Sequence, residues 1–144
     1  MTRPRRYADG TTVDVSKTQM QIDKLLAAHK CSQRALATDD DRGVSILTFR
    51  FQERFIKLQV AIDRQRVRRD SLPQREREAW RRLLLLLKAK FEMIASGDSS
   101  LEQEFLANVM LPDGRTVADE IRGAIAQAYS TGQVSRLLPA FGEP

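Results

Sequence analysis

The stretch GVSILTFRFQERFIKLQVAI, residues 43–62, decides the fold. Leu47, Phe49 and Phe51 fall on one side of an extended chain and Ile46, Thr48 and Arg50 on the other. The alternation resumes through Ile56, Leu58, Val60 and Ile62. Period-two alternation marks a strand with one buried face, so two runs in succession predict adjacent antiparallel strands at 43–51 and 55–62. Gln52 and Glu53 separate them, a connection of hairpin length without the Asn-Gly or Asp-Gly that defines a turn type. A weaker third strand is expected at 33–38. It would turn back through Asp39, Asp40, Asp41, Arg42 and Gly43, residue types that tolerate tight backbone conformations.

Helical periodicity flanks this region on both sides. Upstream, Val15, Thr18, Ile22, Leu25, Leu26 and His29 recur at three-and-four spacing, which predicts a helix over 16–29 with Ser16 and Gln19 as a capping box. Downstream, Ser71 and Gln74 have the same spacing, Pro73 suits a first turn, and Gly97 stands where a helix over 72–95 would end. Trp80, Leu83, Leu84, Leu87, Phe91 and Ile94 form one broad apolar face of that helix; Leu86, Ala89 and Met93 form a second. Two apolar faces predict burial between two layers, the sheet on one side and the following helices on the other. Those helices are expected to begin at Ser99 or Ser100 and at Thr116, with Pro112, Asp113 and Gly114 as the turn between them. Leu137, Leu138 and Phe141 are expected to dock on the core. The fold class is thus α+β: an N-terminal helix, a three-stranded antiparallel sheet, a long central helix and two C-terminal helices. A chain of 144 residues suits one domain. We place it at 13–144, with a helix–sheet–helix core over 13–97, a helical C-terminal layer over 98–144, and a flexible basic tail over 1–12.

The formal charge is +5, and the segment 64–82 alone, with eight arginines against Asp70, Glu76 and Glu78, accounts for all of it. Local charge of one residue type needs a local reason, and arginine presents a planar fork that pairs bidentately with phosphate or carboxylate. The candidate binding residues are Arg64, Arg66, Arg68 and Arg69 on an extended segment leaving the last strand, and Arg75, Arg77 and Arg81 on the first turns of the long helix. Arg82 is spaced to pair with Glu78. Such a run is also what a solvated helix face looks like. However, the four arginines of 64–69 meet acids only at Asp63 and Asp70, which favours a partner that supplies the negative charge. Phosphates of DNA or RNA fit that requirement. The rival reading is a protein-interaction module that docks an acidic protein, or a second copy of the chain, through the same surface. The order helix, three strands, helix is also that of double-stranded-RNA-binding domains, but Asp39, Asp40 and Asp41 stand where such a domain grips the backbone with a neutral or basic loop. Phe49, Phe51 and Phe55 could stack bases; their alternation assigns them instead to the core.

No catalytic constellation can be assembled. His29, the single histidine, lies on an apolar stripe, and Cys31, the single cysteine, lacks a second thiol to complete a metal set. The glycines are scattered, so no phosphate-cradling loop exists, and the trio at 39–41 lacks the alternating ligands of a calcium loop. The expectation is a non-enzyme with no cofactor and no metal. One cysteine points to a reducing compartment, and the leucine run at 83–87 is far short of the roughly 20 residues a membrane span needs. The expected location is the cytoplasm, with no membrane partner.

Trp80, the leucines at 83–87, Lys88-Ala89-Lys90, Glu104-Phe105-Leu106-Ala107 and Leu111-Pro112-Asp113-Gly114-Arg115-Thr116-Val117 together resemble a family of small uncharacterised proteins of bacteriophage and prophage genomes. The resemblance covers the second half of the chain closely and the strand region loosely. It implies a phage-type protein acting in the bacterial host cytoplasm, among nucleic acids and host defence proteins. It carries over no site residue, and the Pro112-Asp113-Gly114-Arg115 loop is read as a turn.

Overall fold

The alternating stretch folds as a hairpin. A computed structural model describes residues 3–63 and 65–134, and in it β2 (Val44–Phe51) pairs antiparallel with β3 (Arg54–Ala61) in the register Leu47↔Leu58, Phe49↔Ile56 and Phe51↔Arg54. Gln52 and Glu53 both take positive φ, 48° and 64°. That is what a two-residue type I′ turn requires, here met by residues with no glycine-like freedom. β1 (Ser32–Asp39) pairs with the other edge of β2, giving the sheet order β1-β2-β3. Its register slips between Ser32 and Ala35, where Gln33 sits at φ 53° and bulges the strand.

One face of the sheet is covered by α1 (Val15–Ala28) and α2 (Leu72–Ala95). Leu47, Phe49, Phe51, Ile56 and Leu58 pack there against Ile22 and Leu26 of α1 and Trp80, Leu83, Leu84, Leu87 and Phe91 of α2. The three-and-four spacing of α1 accordingly places Thr18, Ile22 and Leu26 inward. Its start differs from expectation. α1 begins at Val15 with Asp14 as N-cap and no side-chain cap bond, so Ser16 lies inside the first turn. Ser71 does occupy the N-cap of α2 but likewise makes no side-chain cap. Gln74, its expected partner, is drawn away by a longer-range contact: its Nε2 donates to the Thr11 carbonyl at 2.8 Å.

The C-terminal segment overturns the expected sandwich. Leu86 and Met93 are each 42% exposed, so the second apolar face of α2 carries no layer among the described residues. After Gly97, which turns the chain at φ +83°, the short α3 (Leu101–Phe105) inserts Leu101 and Phe105 into the core, with the Phe105 ring 5.4 Å from that of Phe91. The chain then runs along the free edge of β3. Val109 bridges Ile56, the Met110 N–H donates to the Phe55 carbonyl at 2.8 Å, and Asn108 Nδ2 donates to the Lys57 carbonyl at 3.2 Å. An edge strand exposes unpaired backbone groups, and pairing them directs this segment to the sheet edge instead of the back of α2. The 111–115 loop is a tight turn, with Gly114 at φ +87° and its N–H bonded to the Leu111 carbonyl at 2.9 Å. α4 (Val117–Thr131) follows, opened by a Thr116–Asp119 capping box, and buries only Val117. Leu137, Leu138 and Phe141 lie outside the described residues.

Phe49 and Phe51 are core residues, but Phe55 is 39% exposed because it stands opposite Arg50 on the outward-facing positions of the hairpin. Because Met93 points to solvent, Met93→Ala is expected to change the unfolding free energy by less than about 0.5 kcal/mol. Urea denaturation followed by circular dichroism checks this, and a loss above about 2 kcal/mol would mean that the face is covered.

Candidate nucleic-acid interface

The expected extended arginine segment is a turn. Asp63 organises it: its carbonyl accepts from the N–H groups of Arg66 (3.1 Å) and Val67 (3.2 Å), and its carboxylate accepts from the Gln65 N–H at 3.0 Å. An aspartate bonding the backbone two residues on is a local turn former, which the charge pattern of this stretch conceals. Arg68 is again extended, and a single 3-10 turn, Arg69–Ser71, leads into α2. Arg66, Arg68 and Arg69 are all exposed. Arg66 lies 3.3 Å from Asp63 and Arg68 3.7 Å from Asp70, and both arginine side chains remain more than four-fifths exposed, so these pairs are weak and readily exchanged for a ligand. Arg64 lies outside the described residues.

The arginines of α2 divide by role. Arg75 is exposed and lines a hollow of about 390 Å³ together with Arg3, Asp9, Ser71 and Gln74. Arg77 donates through Nε (3.1 Å) and Nη2 (2.5 Å) to Gln74 Oε1, holding the amide that reaches Thr11. Arg81 donates to Gln21 Oε1 and to Thr18 Oγ1 (3.4 Å), tying α2 to α1. These partners are neutral, so the bonds offset neither positive charge.

Sequence spacing places the N-terminal arginines in a tail of their own. In the structure a turn forms over residues 6–9: the Asp9 N–H donates to the Arg6 carbonyl (3.1 Å) and the Arg6 N–H to Asp9 Oδ2 (2.8 Å). This turn is seated on α2 by Gln74 and by an ion pair of Asp9 with Arg82, 3.8 Å apart, in place of the Glu78 partner that helical spacing suggests for Arg82. Glu78 is buried in the wall of the Arg75 hollow. The Arg6 backbone N–H holds the Asp9 carboxyl below the usual carboxylate range, aided by the charges of Arg3, Arg82 and Arg6. Arg3, Arg5 and Arg6 thus share one region with Arg75, Arg81 and Arg82. The sequence does carry a signal, since these residues are of the same type as the cluster, but contact across some 70 residues of chain has no sequence periodicity.

The remaining candidates find structural roles. His29 stacks on Phe91 at 4.6 Å and 15°. Burial pushes the Cys31 thiol up to about 11, which leaves it protonated and unreactive at neutral pH. Among the described residues no group of three or more His, Cys, Asp or Glu is placed to hold a metal ion, and no helix is long and apolar enough to cross a membrane. No family model, curated protein or solved structure matches the chain.

Proposed function

We propose that the protein is a non-enzymatic, phage-type accessory protein of the host cytoplasm that binds DNA or RNA through phosphate contacts. The carrying observation is that Arg66, Arg68, Arg69 and Arg75 are all exposed and that Arg75 shares a hollow with Arg3, next to the one lined by Arg5, Arg6 and Arg81. Arginine charge concentrated on one part of a surface suits a polyanion, whose phosphates give affinity without sequence readout. Arg77 contributes field more than contact, since its guanidinium group already holds Gln74. Fluorescence anisotropy of labelled single- and double-stranded DNA and RNA tests the reading. It expects saturable binding whose affinity falls steeply with salt. No binding at low salt, where electrostatic attraction is strongest, overturns it.

A protein partner is the second reading, favoured by the exposed Leu85, Leu86 and Met93 on α2. Competition separates the two. Free polyanion displaces a nucleic acid, whereas a complex with a desolvated apolar centre survives it.

A further inference from the structure

Beside the Arg75 hollow, and sharing Asp9 and Gly10 with it, lies a second hollow of about 440 Å³. Its wall carries Arg5, Arg6 and Tyr7 from the N-terminal turn and Arg81 from α2. Asp9 is the one carboxylate among its lining residues, and that group is already engaged by the Arg6 N–H and by Arg82. The net charge of the wall is therefore positive. Tyr7 is 54% exposed, although the turn that carries it is pinned at several points. Thr11 N–H bonds the Ala8 carbonyl at 3.0 Å, Thr11 accepts from Gln74, and Arg81 is fixed by Gln21 and Thr18. Ala8, next to Tyr7, sits at φ 68°, a left-handed conformation that costs a non-glycine residue energy and persists only where its surroundings impose it. A strained turn that leaves an aromatic residue exposed in the lining of a hollow shared with three arginines is not what core packing would produce.

We propose that this hollow takes one nucleotide of a single strand, with its base on the Tyr7 ring and its phosphate among Arg5, Arg6 and Arg81. The inference rests on the phosphate-binding reading and narrows its partner to single-stranded nucleic acid. The volume lies within the range of small-ligand sites, about 300–1,000 Å³, and so admits a nucleotide. A paired base offers no free face to a side chain, whereas an unstacked one does, and aromatic stacking with arginine at the backbone is the usual composition of single-strand sites. The adjoining Arg75 hollow offers a place for the next phosphate, so the strand would run from Arg81 across Gly10 toward Arg75.

The test compares anisotropy titrations of a labelled oligothymidylate and of a duplex of matched length against the full chain and its Tyr7→Ala, Tyr7→Phe and Arg5→Ala/Arg6→Ala variants. The wild type is expected to prefer the single strand. Tyr7→Ala should weaken that binding about 5- to 150-fold with little change in its salt dependence, and Tyr7→Phe should restore most of it. The double arginine variant should instead flatten the logarithmic salt slope by roughly 0.7 for each phosphate that is no longer neutralised. An oligothymidylate bound equally well by wild type and Tyr7→Ala, or a duplex bound more tightly than the single strand, overturns the inference while leaving the phosphate-binding surface standing. Failure of the wild type to bind either at low salt overturns both.

Discussion

Phe91→Ala is expected to lower the unfolding free energy by about 3–5 kcal/mol, the range for truncating a fully buried aromatic side chain. Phe91 is 1% exposed and lies where all the layers meet. Its ring is 4.6 Å from His29 at the end of α1, 5.3 Å from Phe51 and 6.1 Å from Phe49 on β2, and 5.4 Å from Phe105 on α3. Truncation removes the transfer free energy of a phenyl group and leaves a cavity lined by rigid rings. These cannot collapse into it, because Phe49 and Phe105 also pack edge-to-face on each other at 6.0 Å. Urea denaturation measures the loss. A cost below about 1 kcal/mol would show that α3 is not docked against the sheet. The contrast with Met93, two positions on and exposed, makes the pair a direct test of which side of α2 is covered.

The parts of the fold legible in the sequence are those written in local period. Leu47, Phe49 and Phe51 alternate, and they face the core; Trp80, Leu83, Leu84, Leu87 and Phe91 recur at helical spacing, and they do too. What joins distant segments is not legible there. The apolar stripe of Leu86 and Met93 has the same spacing as a buried one, and only the choice of the C-terminal chain to pair with β3 decides that it stays open. The hairpin turn carries no glycine, so its two left-handed residues announce themselves only through the strands they connect. The candidate site shows the same division. The arginine run at 64–82 stands out as composition, whereas the joining of Arg5, Arg6 and Tyr7 to Arg81 depends on Gln74 reaching Thr11 and Arg82 reaching Asp9. Neither contact follows from spacing.

Within the arginine cluster, stability and binding separate cleanly enough for charge reversal to be decisive. Changing Arg66, Arg68 and Arg69 together to glutamate should weaken nucleic-acid binding at physiological salt by more than about 100-fold, because each reversal removes a charge-assisted bond and adds repulsion. The melting temperature should move by only a few degrees. The pairs that Arg66 and Arg68 make with Asp63 and Asp70 are solvent-exposed and contribute little. New like-charge repulsion from those acids is offset in part by the favourable placement of glutamate at 68 and 69, just before the N-terminus of α2. Arg81→Glu should behave differently. It breaks the tie to Gln21 and Thr18, so its binding defect would come with a fall in melting temperature. If the triple variant melted as Arg81→Glu does, the 66–69 arginines would be part of the fold. If it bound nucleic acid as tightly as the wild type, the phosphate-binding reading of this turn would be wrong, and the search would move to protein partners for the exposed face of α2.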